Sequence, residues 1–460
     1  MTVETTLEAE ADPAVRPLYE RITGAMERLA VPGVAVGLLH EGHEHVAGFG
    51  VTNVDHPSPV ASNTLFQIGS TTKTVTATTV MRLVEEGKLD LDTPVRAYLP
   101  DLRLADETVA AGVTLRHLLT HTGGWTGDHF ADKGRGEDAL ARIVASMAAV
   151  PQLTPLGEIW SYNNAGFYIA GRVIEAVAGK PYETAVRELV LDPLGLARTY
   201  FFPEEVMTHS FAVGHNVVDD RARVATPWNL PRTANPAGGL TSSAGDQLRY
   251  ARFHMGDGTA TGGERILSPE SMALMQTPVM SAGDDTSIGL AWFIREVGGV
   301  RIVQHGGTTN GQISAFMFAP ERGFALTILT NANSGTELNE DVTAWALRRY
   351  LGVAEPEPTP LDRTDAQRAA YAGRYAAALT SIELVPRDGA LVLELSYIGD
   401  YPGDETPPIP PPARAALYAE DKLIVLDGPM KGVRAEFLRG PDGGITWLRL
   451  GGRVHRREAS

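Results

Sequence analysis

The 460-residue chain contains no cysteine, which excludes a disulfide framework and thiol chemistry. It is short of positive charge: 40 lysines and arginines face 56 aspartates and glutamates, a net charge of −16. That balance argues against nucleic acid or an anionic membrane as partner. No run of 18 apolar residues offers a membrane span. The acidic opening, Met1-Thr-Val-Glu-Thr-Thr-Leu-Glu-Ala-Glu-Ala-Asp12, has neither the basic nor the apolar region of a secretory signal. The expectation is therefore a cytoplasmic protein. Also missing are a Gly-x-Ser-x-Gly elbow, a phosphate loop and a dinucleotide fingerprint. His40-Glu41-Gly42-His43-Glu44-His45 fails the His-Glu-x-x-His metal spacing, because position 44 is Glu, and reads as a solvated hairpin turn. No metal and no cofactor are expected.

What is present is ordinary globular material, 43 % apolar and 21 % charged, long enough for two or more domains. Residues 13–29 read as an amphipathic helix, and 33–40 with 44–50 as a hairpin. From Ser70 to about Leu196 the pattern is mostly helical, broken by Gly and Pro. Residues 201–235 look irregular, and 243–255 and 268–275 read as short helices. Strands are expected over 287–292, 300–305, 313–319 and 324–331, followed by a helix over 337–351. Strands thus sit at both ends of the stretch before the linker, and one sheet built from both ends with a helical lobe inserted is the economical arrangement. Residues 354–364 form that Pro-rich, charged linker. Short β-rich runs after it, such as Leu391-Val-Leu-Glu-Leu395 and Ile445-Thr-Trp-Leu-Arg-Leu450, suggest a small antiparallel barrel or sandwich, with Thr406-Pro-Pro-Ile-Pro-Pro-Pro412 as a loop inside it. The expected division is 1–353, linker, and 365–460.

The segment Phe66-Gln-Ile-Gly-Ser-Thr-Thr-Lys73 puts a hydroxyl and an amine one helical turn apart at a helix start. Residues i and i+3 share a helical face, so Ser70 Oγ and Lys73 Nζ can meet. A serine needs an adjacent base to act as a nucleophile, and a lysine serves only if burial or a neighbouring cation lowers its pKa. Alone this spacing is common. It is joined, however, by Tyr162-Asn163-Asn164 and then, much further along, by His305-Gly306-Gly307.

These three ordered motifs resemble the serine β-lactamase and penicillin-binding protein superfamily. The similarity is to its class C-like group of D-aminopeptidases, esterases and acyltransferases, and covers roughly residues 13–350. Leu89-Asp-Leu-Asp-Thr-Pro-Val95 and Leu115-Arg-His-Leu-Leu-Thr-His-Thr-Gly-Gly124 are further features of that group. The resemblance implies an α+β fold, an antiparallel sheet with flanking helices and a helical lobe. The barrel would be the lipocalin-like appendage of some members. It implies a serine hydrolase acting on an ester, amide or peptide through a Ser70 acyl-enzyme. Lys73 and Tyr162 would share the proton, with the base left open between them and the pair titrating as a unit. Asn164 would orient Lys73 and a substrate carbonyl. The N–H groups of Ser70 and Thr308 would form the oxyanion hole. Gly306 and Gly307 would let substrate approach the strand edge, with Trp160 and Asn310 against it. Trp125, Trp228 and Trp292 are further pocket candidates, and Gln312 another contact.

The sequence departs from the β-lactamase pattern at the third motif, where His305-Gly306-Gly307 stands for Lys-Thr-Gly, and it lacks Ser-Asp-Asn. A permanent cation becomes an imidazole, which adds positive charge only if protonated. That favours esters, amides or D-amino-acid peptides over antibiotics. The alternatives are an acyltransferase, such as a stand-alone peptide-cyclising thioesterase, and a non-catalytic ligand-binding protein of the same fold. His117 and His121 are accounted for as a helix end capped by Gly123-Gly124, with cations near the dipole. The partner is a small molecule or peptide, and the oligomeric state stays open.

Overall fold

Gly33–His40 is an unbroken apolar run, and in the computed structural model it is a buried strand paired on both edges. The structure describes residues 12–398 and 409–458. The strand turns into His43–Gly50 through Glu41 and Gly42, both at positive φ (49° and 81°), the geometry of a tight two-residue hairpin. Its other edge takes Phe324–Thr330, from the far end of the stretch before the linker, with Val36 opposite Ile328. Beyond that come Gln312–Ala319, Val300–Gln304, Phe293–Val297, Thr286–Ile288 and Met280–Gly283, every pair antiparallel. The sheet is therefore built from both ends of that stretch, as the sequence leads one to expect.

One face buries the helices Arg16–Leu29 and Gly335–Ala346, with Leu18, Ile22, Leu338 and Val342 packed on Val36 and Ile328. The other face carries Ala244–Met255 and, beyond it, the helical lobe around Asn164–Ala178. Between sheet and lobe runs Thr72–Glu85, buried nearly all round. Its threonines make that burial possible. Thr76 Oγ1 donates to Pro236 O (2.7 Å), Thr78 Oγ1 meets the Tyr250 hydroxyl (2.8 Å), and Thr79 Oγ1 donates to Val75 O (2.9 Å).

Two local expectations change. The apolar run 287–292 is split: strands end at Ile288 and restart at Phe293, with Ala291 at φ 63° in the bend between. Inside the irregular 201–235 region, His215–Val218 and Arg221–Val224 form a hairpin.

Residues 352–364 carry no helix or strand. The helix Asp365–Ala369 then leads into eight antiparallel strands, from Gly373–Ala376 to Arg453–Arg457, closed by pairing of the first with the last. Alternate residues point inward, among them Tyr375, Ile382, Leu393, Leu417, Phe437 and Leu448, so side chains fill the interior. Of the Pro-rich tract, 406–408 lie outside the described residues, and 409–412 lead into the strand Ala413–Ala419. The first residues of the chain, 1–11, also lie outside them. No described helix is long and apolar enough to cross a membrane.

Candidate active site

Ser70 lies in a single 3-10 turn, Gly69–Thr71, that runs directly into the buried helix Thr72–Glu85. The turn is fastened to the sheet by Thr71 Oγ1, which reaches His305 O (3.3 Å) and Ser314 Oγ (3.1 Å), while Ser314 Oγ donates to Ile68 O (2.8 Å). The helix delivers the i, i+3 pairing: Lys73 Nζ donates to Ser70 Oγ at 3.0 Å and to Ala237 O at 2.6 Å. Lys73 is fully buried. Burial holds its amine well below the ordinary lysine value, the charge of Arg453 adds to this, and Asp128 opposes it.

Tyr162 precedes the helix Asn164–Ala178, and its ring lies 4.9 Å from Lys73 Nζ. Burial raises its proton affinity well above that of ordinary tyrosine. A hydrogen bond with Ser70 and the Arg453 charge offset this only in part. The phenol is thus protonated while the amine is poised to lose its proton.

His305 is buried, with its ring 6.3 Å from that of Tyr162 and 5.2 Å from that of Phe293. Burial, then the nearby Lys73, push its pKa down to about 3. The imidazole is neutral and is not the second cation considered from the sequence. Its Nδ1 lies 2.6 Å from Gly306 O.

The backbone after it runs against the nucleophile turn. A Cβ on Gly307 would lie 1.9 Å from Ile68 O and 2.7 Å from Ser70 N, and one on Gly69 would lie 2.7 Å from Thr308 N. Only glycine permits this approach, which brings the backbone of the strand Gly307–Thr309 against the nucleophile turn. Gly306 is exposed on the edge.

Other candidates are placed differently from the sequence reading. Asn164 Nδ2 donates to Asp128 Oδ1 (2.8 Å), whereas Lys73 gives its hydrogen bonds to Ser70 and Ala237. Asn164 is therefore held to a carboxylate that the sequence reading passed over. Asn310 Nδ2 donates to Pro227 O (3.1 Å), and Gln312 Oε1 accepts from Gln67 N (3.0 Å), so both brace backbone. Trp160 is sealed under the barrel, and Trp125 and Trp292 are core residues. Trp228 lines a small cavity with Gln67, Phe201, Leu230 and Gly238. His117 is no C-terminal cation: its Nδ1 accepts from Thr114 N (3.1 Å) at the start of the helix Leu115–Leu119. His121 is buried beyond that helix, with its ring stacked on Tyr162.

The barrel supplies the largest surprise. Its last hairpin reaches the Tyr162 segment: Gly452 O accepts from Tyr162 N (2.8 Å), Val454 N donates to Ser161 Oγ (3.2 Å), and Arg449 Nη1 donates to Trp160 O (3.2 Å). Arg453 grips Asp128 with Nε (2.9 Å) and Nη2 (3.2 Å) and lies 4.8 Å from the Tyr162 ring centre. Burial raises the Asp128 carboxyl, but Arg453 and Asn164 more than offset that and keep it below its usual range. The only local signals for this were the paired glycines 451–452 and an arginine at a hairpin tip. Among the described residues no group of three or more His, Asp or Glu is placed to hold a metal ion.

The chain has known relatives in sequence and fold. Penicillin-binding protein 4 of Amycolatopsis lactamdurans is 36 % identical over 357 residues, 75 % of this chain and 94 % of that protein. The solved structure of SurE with D-Leu superposes at a TM-score of 0.75 with 25 % identity, covering 97 % of this chain and 100 % of that one. A class C β-lactamase from Rhodobacter sphaeroides shares the fold at a TM-score of 0.60, with 23 % identity and coverage of 72 % and 99 %. Residues 18–350 match the Beta-lactamase family, a stretch that carries Ser70, Lys73, Tyr162, Asn164 and His305 and leaves out Arg453. The chain therefore belongs to the beta-lactamase family, with a closed eight-stranded barrel added behind the family's own fold.

Proposed function

We propose that the protein transfers acyl groups through a covalent ester on Ser70, formed from an ester or amide substrate. The observation that carries this reading is the 3.0 Å contact between Ser70 Oγ and a fully buried Lys73 amine. Lys73 takes the Oγ proton as the new C–O bond forms. The oxyanion so created is held by the N–H groups of Ser70 and Thr308. As the old bond breaks, the Tyr162 hydroxyl gives its proton to the departing oxygen or nitrogen and is recharged from the Lys73 ammonium. A phenol that keeps its proton and an amine that readily sheds its own divide the acid and base roles in this order.

The charges support a substrate class. A neutral His305 offers no fixed cation at the third motif, which supports esters, amides and peptides over β-lactams. The fixed cation in the site is Arg453, delivered by the barrel. A D-amino-acid residue on the substrate or acceptor fits the likeness to SurE, whose structure holds D-Leu. Transfer to an amine rather than to water is the second reading, supported by the barrel hairpin that covers Trp160 and Tyr162.

The test is acylation by a nitrophenyl ester or a fluorophosphonate, followed by intact mass. One adduct on the wild type and none on Ser70→Ala is expected. No adduct on wild type would leave a ligand-binding protein instead. Adding D-Leu amide to the ester reaction separates the two acceptors: a transfer product accumulates, or only free acid does. Nitrocefin turnover matching the best ester would overturn the reading of His305.

A further inference from the structure

The segment 161–163 presents three successive backbone N–H groups around Tyr162. The barrel takes the middle one through Gly452 O. The outer two both go to a single residue: Ser161 N donates to His121 O (3.1 Å), and Asn163 N donates to His121 Nδ1 (2.9 Å). The His121 ring also stacks on the Tyr162 phenol, centroids 4.5 Å apart and planes 25° from parallel. His121 thus holds the backbone on both sides of Tyr162 and one face of its ring, while Gly452 holds its own N–H.

We propose that His121 is the positioning residue for the Tyr162 hydroxyl and that it acts only as a neutral imidazole with its proton on Nε2. This rests on the acyl-transfer reading above. The backbone N–H of Asn163 can only donate, so Nδ1 must present its lone pair. The Asn163 carbonyl also lies near Nδ1, at 3.2 Å, but the contact is longer, and the donor decides the tautomer. A protonated ring would set two N–H groups face to face and push the segment off. The surroundings oppose protonation: His121 is buried, and the charged and titratable groups around it are Lys73, His305, Arg453 and Tyr162. Its backbone, at φ 57°, is the left-handed residue that closes the helix Leu115–Leu119 in a Schellman motif, with His121 N bonded to Leu118 O (3.4 Å) and Thr122 N to His117 O (2.9 Å). Helix capping thus accounts for the backbone and aims the ring, but not for the stack on Tyr162 or the bond from Asn163 N.

Two variants separate acceptor from ring. His121→Phe keeps the stack and loses the acceptor. His121→Asn keeps an acceptor near the Nδ1 position, tolerates the left-handed backbone and loses the stack. With a nitrophenyl ester, His121→Phe is expected to lose about 100-fold in kcat with KM little changed, the penalty of a misplaced catalytic group. Its acid limb of kcat/KM should move, because the Lys73–Tyr162 pair is disturbed. His121→Asn should recover at least ~10-fold of that loss and restore the limb. Equal losses in both variants, tracking loss of folded protein with an unmoved pH profile, would reduce His121 to a structural residue. Activity in His121→Phe near the wild-type level would refute the proposal outright. A wild type that forms no adduct sinks the acyl-transfer reading instead, so the two failures are distinguishable.

Discussion

Arg453 and Tyr162, one in the barrel and one in the helical lobe, meet with the guanidinium 4.8 Å from the centre of the phenol ring and bound by two hydrogen bonds to Asp128. The arginine lowers the proton affinity of Lys73, and Asp128 raises it. Removing Arg453 alone therefore leaves Asp128 unopposed and lifts the Lys73 pKa. More alkaline solution is then needed to free the amine. We expect Arg453→Met to shift the acid limb of kcat/KM to higher pH and to lower the rate at pH 7 by about tenfold or more, one unit of pKa being a factor of ten. The double variant Arg453→Met/Asp128→Asn removes both charges, and its limb should return toward wild type. A limb that stays put in the single variant, or moves further in the double, would show that the pair does not tune Lys73.

Lys73 is a stability liability because of the same burial. In the unfolded chain its ammonium is hydrated and titrates near the ordinary lysine value, whereas in the fold its pKa is held well below that. Between those two values the unfolded state binds more protons, so wild-type stability rises with pH there. Lys73→Met has no such slope. We expect it to be inactive yet more stable at pH 7, with Tm higher by about 1–2 °C for ~1 kcal/mol in a unit of this size. The advantage should shrink as pH approaches 10. A Tm advantage that is constant with pH would point to packing instead of charge.

The pattern of what was legible follows from the range of each signal. Ser70 and Lys73 are one helical turn apart, so local spacing pairs them, while Tyr162 and His305 lie in short motifs that the family resemblance picks out. The sheet is legible because Gly33–His40 and Phe324–Thr330 are buried on both faces and read as continuous apolar runs. The same logic fails for 287–292, where a buried bend at Ala291 has the composition of a strand. It also misleads at Thr72–Glu85, whose apolar stripe suggests one buried face although threonines let the whole helix be buried. Asp128 and Arg453 have little local signal, and His121 reads from its own segment only as a helix end, for another reason: each meets a partner far along the chain. His121 pairs with the loop at 161–163, and Arg453 belongs to a separate barrel. Nothing periodic in the sequence carries such pairings.

The two glycines after His305 should behave differently. A Cβ on Gly307 has no room, at 1.9 Å from Ile68 O and 2.7 Å from Ser70 N, both backbone atoms of the nucleophile turn. A Cβ on Gly306 meets only Ser314 O, at 3.1 Å. Gly307→Ala must push the strand and the turn apart and so separate the two N–H groups that would hold the oxyanion. We expect a loss of about 100-fold or more in acylation rate, the scale of one lost oxyanion donor. Gly306→Ala should stay within about tenfold of wild type, its neighbour giving way by a few tenths of an ångström. Similar losses in both would remove the oxyanion role from this strand.

Buried neutral histidines should make the fold sensitive to mild acid. The His254 ring lies among Tyr250, Phe253, Trp292 and Phe318, and burial alone pushes its pKa down to about 3. His305, also near 3, and His455, near 4, are depressed by burial as well. In the unfolded chain each takes up a proton near the ordinary value of about 6.5. Between that pH and the folded value the unfolded state binds the extra proton, so the neutral rings contribute their stability in full above about pH 6.5 and lose it as pH falls. Each such group steepens the decline by up to about 1.4 kcal/mol per pH unit within its window. His254→Leu lies outside the reacting groups and should remove one of these slopes while retaining ester turnover at pH 7. Urea unfolding at pH 7, 6, 5 and 4 reads it directly: the variant starts less stable, since a cavity and a contact to Thr78 are changed, but its stability should fall less steeply. Parallel lines for variant and wild type would mean that His254 is already protonated in the fold, and the buried-imidazole account of the acid sensitivity would have to be given up.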